Sequence, residues 1–128
     1  MVETHGLTHV ALSVRDPDRS ARFYEQVVRA VVVYRADGFV QVQTPGSRDV
    51  VVFQADDAAA GRDGGIAHFG FRLVRAEDID AAVRAVEDAG GEIIRRGEFG
   101  PGQPYVFFAD PDGYEVEIWY EPPTPLDL

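Results

Sequence analysis

Two histidines and one glutamate are the side chains of this sequence best suited to metal chemistry. His9 lies in the strand-like segment LTHVALSV (7–14), His68 in IAHFGFRL (66–73), and Glu117 in YEVEIWY (114–120). The chain has no cysteine, so a metal site has to be built from histidine, aspartate, glutamate or weaker oxygen donors. Two neutral imidazoles and one carboxylate bind divalent transition metals and leave positions open for water or substrate.

Strand periodicity places these three residues on equivalent sheet faces. Side chains alternate between the two faces of a strand, and in each segment the more apolar series is assigned to the face that covers a helix. His9, His68 and Glu117 fall in the opposite, more polar series, which suits the lining of a concave and partly wet cavity. Glu115 shares the face of Glu117 and is the alternative ligand. From residue types alone, hydrogen-bonded structural histidines and a solvent-facing Glu117 are equally open interpretations.

The elements that position these residues form two similar halves. Strand and helix patterns predict β-α-β-β-β twice: a first module over about 5–55, a glycine-rich linker over about 56–65, and a second module over about 66–121. Aligning His9 with His68 matches the pattern histidine, apolar, small, apolar, polar, apolar in both segments, which indicates an internal duplication. We therefore expect an α+β fold in a single domain, 1–128, whose two modules pair within or between chains.

Composition excludes several functional classes. The net charge is −10 and all 12 basic residues are arginine, so nucleic acid and anionic membranes are poor partners. The absence of lysine rules out Schiff-base chemistry and phosphate binding by a P-loop. No apolar run approaches the roughly 18 residues of a membrane span, and the N-terminus lacks a signal-peptide pattern. We expect a cytoplasmic protein with a small-molecule substrate.

Three segments together resemble the vicinal oxygen chelate superfamily, which includes glyoxalase I, fosfomycin-resistance proteins, extradiol dioxygenases and bleomycin-resistance proteins. They are LTHVALSVRDPDRSARFYEQV, IAHFGFRL and YVFFADPDGYEVEIWYE, in this order along the chain. The resemblance implies that the two modules pair into a cup-shaped, open, mixed-sheet barrel, in a homodimer. It also implies one divalent ion (Fe, Mn, Ni, Zn or Co), with His9, His68 and Glu117 at the ligand positions. Such an ion captures two neighbouring substrate oxygens and acts as a Lewis acid.

Departures from the family pattern bear on which of the superfamily's activities the chain has. Glyoxalase I usually supplies a second glutamate from the last strand of the first module, where this chain has VVVFQ and only Gln54 as an oxygen donor. Extradiol dioxygenases usually add further histidines, whereas only His5 remains here. Glu117 and Tyr105 are the candidate catalytic residues. The predicted function is a metal-dependent lyase, isomerase or ring-opening dioxygenase, and the alternative is a metal-free protein that sequesters a drug or metabolite.

Three further features have two interpretations each. Arg72 pairs with an acidic substrate group or forms a structural salt bridge. Trp119 is a pocket wall or packs between the modules. The loop GEFGPGQPY (97–105) is a lid over the cavity or an irregular connection.

Overall fold

The chain divides into two compact units. The computed structural model describes Met1 and residues 3–127. Unit 1 is Met1–Arg62 and unit 2 is Asp63–Leu128, and they meet in the chain within the glycine-rich segment 56–65. None of the helices in the described part of the chain is long and apolar enough to cross a membrane.

Unit 1 is a four-stranded mixed sheet with one helix. Its elements are β1 Val10–Val14, α1 Pro17–Val28, β2 Val31–Ala36, β3 Phe39–Gln43 and β4 Val51–Ala55. The strand order is β1-β4-β3-β2, with β1 parallel to β4 and the other pairs antiparallel.

Unit 2 repeats this arrangement. Its elements are β5 Phe69–Arg72, α2 Ile79–Asp88, β6 Glu92–Glu98, β7 Pro104–Ala109 and β8 Glu115–Trp119, with a single 3₁₀ turn, Ala76–Asp78, before α2. The order β5-β8-β7-β6 and the parallel pairing of β5 with β8 match unit 1 strand for strand. The predicted α+β fold of two β-α-β-β-β modules with open mixed sheets is confirmed.

Helix α1 shows how the sequence fixes one of these elements. Asp16 caps it by accepting hydrogen bonds from the backbone N–H groups of Asp18 and Arg19, at 3.1 and 3.2 Å. Pro17 follows at the first helical position, which has no N–H to satisfy. Tyr24 is fully buried and stacks on Phe53 of β4 with ring centroids 5.3 Å apart. The helix therefore covers one face of the unit 1 sheet.

The first strand of each unit begins later than the sequence predicts. The predicted strands 7–14 and 66–73 are Val10–Val14 and Phe69–Arg72 in the structure. Each is an edge strand that pairs with only one neighbour, and the pairing begins at Val10 with Val51 and at Phe69 with Val116. In the described part of the chain, the residues before these points pair with no strand. His9 and His68 therefore lie directly before a strand rather than within it.

Candidate metal centre

The unit 2 sheet face that points away from α2 carries two rows of side chains. Val116 and Ile118 of β8 are buried on the other face, so Glu115, Glu117 and Trp119 project from this one. Sheet register then aligns the neighbours of β8. The first row is Gly70, Glu117, Phe107 and Arg95, and the second is Arg72, Trp119, Tyr105 and Gly97.

His68 and Glu117 form the core of the candidate site. Nε2 of His68 lies 3.7 Å from Oε1 of Glu117, which is too far for a hydrogen bond. Two donors that each bind one ion at about 2.1 Å lie at most about 4.2 Å apart, so this spacing fits two ligands of the same ion. Imidazole and carboxylate are both ordinary ligands of the first-row divalent metals. The donor set and its spacing therefore fit the group that the sequence predicts.

Glu117 is held as a buried carboxyl group. Its side chain is only 11% exposed, and this burial raises its pKa, while His68 and Arg95 act in the opposite direction. Gly70 on the neighbouring strand allows the close fit, because a Cβ there would lie 3.0 Å from the backbone oxygen of Glu117 and 3.3 Å from its Cβ. A poorly hydrated carboxylate gains more from a bound cation than an exposed one does.

A closed cycle of contacts surrounds the ring of His68. Nδ1 of His68 lies 3.9 Å from Oε2 of Glu115, and the ring meets Phe107 edge to face at 5.0 Å between centroids. Arg95 closes the cycle, because it pairs with Oε1 of Glu115 at 3.3 Å and its guanidinium lies 4.0 Å from the Phe107 ring centre. These contacts hold the His68 ring with Nε2 toward Glu117.

Glu115 and Glu117 face different nitrogens of His68. Glu115 is the more exposed of the two, at 30% of its side chain, and its charge is already paired with Arg95. Glu117 is therefore the better ligand candidate, and Glu115 is suited to fix the orientation of the histidine. The ligand assignment itself stays a prediction.

His9 belongs to unit 1, whereas His68 and Glu117 belong to unit 2. It is exposed, and its Nδ1 lies 2.5 Å from Oγ1 of Thr8, so Nε2 is the ring nitrogen that would have to bind an ion. Across Met1 and residues 3–127, no three histidine, aspartate or glutamate side chains are grouped so as to hold an ion. The three-residue ligand set remains a prediction for that reason.

Tyr105 does not approach Glu117 with its hydroxyl group. A Cβ placed at Gly97 of β6 would lie 2.9 Å from the Tyr105 hydroxyl, so the ring leans over β6 while Glu117 lies on β8, on the opposite side of β7. The predicted acid-base role of Tyr105 stays untested.

Arg72 forms structural ion pairs. It pairs with Glu121 and, at 3.4 Å, with Asp127, rather than with Glu115. These three residues border a cleft of about 330 Å³ next to the second row. Because Arg72 already has two carboxylate partners, the structural interpretation of this residue is the better one.

Unit 1 offers no carboxylate at the position that corresponds to Glu117. Val52 of β4 is paired with Ala11, as Glu117 is with Gly70 in unit 2, and Val52 is buried. Gln54, the oxygen donor noted in the sequence, is exposed and lies one row further along the strand.

Sequence reasoning did not single out Arg95 or Phe107. A bulge between Ile93 and Arg95 shifts the register of β6, so simple alternation along EIIRR does not give the face of Arg95. Phe107 stands directly opposite Glu117, and pairing the two strands of the DPDG hairpin in the sequence would have found it.

Comparison with known proteins assigns the family. The sequence profile described as Glyoxalase/Bleomycin resistance protein/Dioxygenase superfamily matches residues 6–118. The chain belongs to this superfamily. A putative lactoylglutathione lyase from Brassica oleracea var. gemmifera is 30% identical over 132 residues, which cover 94% of this chain and 46% of the relative. This chain thus spans less than half the length of that plant protein.

Two further proteins match this chain over most of their own length. An uncharacterised protein from Pseudomonas aeruginosa is 32% identical over 125 residues, which cover 91% of this chain and 89% of the relative. A crystallised variant of the fosfomycin-resistance protein FosX from Listeria monocytogenes, in complex with Mn(II) and 1S,2S-dihydroxypropylphosphonic acid, superposes with a TM-score of 0.75. It is 18% identical, and the match covers 91% of this chain and 90% of FosX.

Proposed function

We propose that this superfamily member is a divalent-metal-dependent enzyme that acts on a small oxygenated metabolite. In this proposal His9, His68 and Glu117 hold one ion, and two neighbouring oxygens of the substrate complete its coordination. The bound ion would supply Lewis-acid stabilisation of a substrate oxyanion. The reaction is of the lyase, isomerase or ring-opening dioxygenase type.

The pair of His68 and Glu117 is the observation that carries this proposal. The two donor atoms lie 3.7 Å apart on a sheet face, and among the described residues no cation is hydrogen-bonded to the buried Glu117. A buried carboxylate beside a half-exposed imidazole lowers the stability of the fold when no ion is bound. The cost is offset when the pair binds a cation.

The residues around this pair have separate roles. Glu115, Arg95 and Phe107 orient His68, so that Nε2 rather than Nδ1 would hold the ion. Glu117 would also be the group that accepts a proton from the substrate. The manganese in the FosX complex supports a metal-dependent reaction on this fold.

The absence of a carboxylate at Val52 argues against a standard glyoxalase I reaction. The resemblance to glyoxalase I implies a second glutamate on the last strand of the first module, and β4 carries only apolar residues and Gln54 toward its end. A reaction at this site would therefore have one carboxylate ligand, and Glu117 would take the part of the base. We further propose that the protein acts as a homodimer in the cytoplasm.

Metal content is the test of this proposal. Protein purified without chelator is expected to carry close to one equivalent of a divalent metal, and added Ni²⁺, Zn²⁺, Mn²⁺ or Fe²⁺ is expected to raise its thermal stability. Less than about 0.2 equivalents, with no stabilisation by any of the four ions, would instead support the metal-free binding protein.

Variants then test the ligand assignment. His9→Ala is expected to lower metal affinity strongly, whereas His5→Ala, a second exposed histidine in the same unit, is the matched control and should bind as the parent does. Oxygen uptake with catechols under Fe²⁺ separates the dioxygenase from the lyase and isomerase reactions.

A further inference from the structure

Three aromatic side chains form a connected surface beside the candidate metal centre. Phe99 stacks on Tyr105 with centroids 4.2 Å apart and an interplanar angle of 20°. It also meets Trp119 edge to face at 5.4 Å and 88°. We call Phe99, Tyr105 and Trp119 the aromatic shelf.

The aromatic shelf is continuous with the metal-ligand pair. Tyr105 contacts Phe107 at 5.5 Å, and Phe107 contacts His68 at 5.0 Å, so ring contacts run without a break from Trp119 to the histidine. Along β8, Trp119 follows Glu117 by two residues on the same face. A small molecule bound at His68 and Glu117 would therefore have Trp119 of the shelf about 7 Å away along β8.

The shelf is built for contact and is not a buried core. Phe99 is 58% exposed, although its backbone is held by a closed turn in which its N–H donates to Gln103 and the Gln103 N–H donates to Gly100. Gly97 has no side chain beneath Tyr105, where a Cβ would lie 3.1 Å from the ring, so the ring lies flat over the strand. Exposed aromatic surface next to a few polar groups is typical of ligand sites.

We propose that the aromatic shelf binds a planar aryl group of the substrate. The aryl group packs on Phe99 and Trp119, while the two neighbouring oxygens of the same molecule reach His68 and Glu117. This inference rests on the proposed metal site for the position of the oxygens, but the shelf itself does not depend on the metal. Phe99 is the residue that makes the site prefer a substrate with an aryl group.

Hydroxamates provide matched probes, because they present two neighbouring oxygens with or without a ring. Ni²⁺-loaded protein is titrated with benzohydroxamate and with acetohydroxamate, and binding is read from the fluorescence of Trp119, the only tryptophan of the chain. Benzohydroxamate is expected to bind at least about 10-fold more tightly. The titrations are repeated on metal-free protein, where both affinities fall but the preference for the phenyl compound persists.

Variants assign the preference to the shelf. Phe99→Ala is expected to reduce it to within about 3-fold, and its exposed position means that the fold does not depend on the ring. Val33→Ala, which removes another half-exposed apolar side chain, is the control and should leave the preference unchanged.

The outcomes separate this inference from the proposed function. Equal binding of the two hydroxamates, with and without metal, overturns the shelf and leaves the metal site standing. A phenyl preference in protein whose affinity for either hydroxamate Ni²⁺ does not raise supports the shelf and contradicts the metal site. If Phe99→Ala changes the oligomeric state and leaves the preference intact, the rings are an interface between copies of the chain and the inference is wrong.

Discussion

Replacing Glu117 by glutamine is expected to have opposite effects on stability without and with metal. In the metal-free protein the buried carboxyl group has a raised pKa, so its ionisation is unfavourable in the folded state. Glu117→Gln keeps the shape and removes the charge. The variant should therefore be more stable than the parent when no metal is bound, and less stable when metal is present in excess.

The sizes follow from the burial and from mass action. A nearly buried carboxylate without a hydrogen-bonded cation costs on the order of 1 kcal/mol. For 128 residues the unfolding entropy is about 0.27 kcal/mol/K, so the metal-free variant should melt about 4 °C higher than the parent. At 100 times the dissociation constant, Ni²⁺ stabilises the parent by about 2.7 kcal/mol, or about 10 °C, and the variant should lose most of this gain.

The pH dependence gives a second check on the sign of the stability change in the metal-free Glu117→Gln variant. A raised carboxyl pKa means that the folded state holds the proton more tightly, so the advantage of Glu117→Gln should grow as the pH rises above the ordinary carboxyl range. It should vanish below the ordinary carboxyl value of 4.5, where Glu117 is protonated in both states. Thermal melts with EDTA from pH 4 to pH 7.5 measure this pH dependence.

Glu115→Gln is the matched control, and because it breaks the Arg95 pair it should melt no higher than the parent. A metal-free Glu117→Gln variant that melts below the parent at pH 7 would refute this reasoning.

Two further changes test the surroundings of the site. Arg95→Gln removes the residue that contacts both Glu115 and Phe107. It should weaken Ni²⁺ binding by about 10-fold and give a mixture of His68 tautomers in ¹⁵N-resolved NMR spectra. Arg96→Gln, which removes a residue paired with Asp80 instead, is the control and should have neither effect. Gly70→Ala places a Cβ 3.0 Å from the backbone of Glu117, and should lower the free energy of unfolding by about 1–3 kcal/mol in denaturant melts. Gly100→Ala is the control: its Cβ would meet only the flexible Gln103 side chain, so the free energy of unfolding should fall by less.

Most of the fold could be predicted from the sequence because its signals are local. Alternation along LTHVALSV and the proline and aspartate before SARFYEQVV determine a strand and a capped helix without reference to distant residues. The internal similarity around His9 and His68 then indicates two equal modules, and the matching strand orders confirm it. Strand ends were predicted less well, because β1 and β5 begin where their single neighbours begin, and that is a tertiary property.

The sequence pointed to two residues that the structure brings together, but not to the side chains that support them. Histidine and glutamate stand out by residue type, and the two that lie in unit 2, His68 and Glu117, are brought within 3.7 Å. Arg95 reaches its place through a bulge in β6, and no periodicity along one strand shows such a shift. The tilt of Tyr105 over Gly97 likewise depends on the neighbouring strand. The sequence does not show this tilt, so Tyr105 was expected near the predicted metal, whereas its hydroxyl lies against Gly97.

The number of divalent ions bound per chain tests the central claim most directly. Native mass spectrometry after dialysis against Ni²⁺ is expected to show one ion on the parent, on His5→Ala and on Glu115→Gln, and none on His68→Ala or Glu117→Gln. One ion retained by His68→Ala and Glu117→Gln alike would place the metal elsewhere and contradict the account.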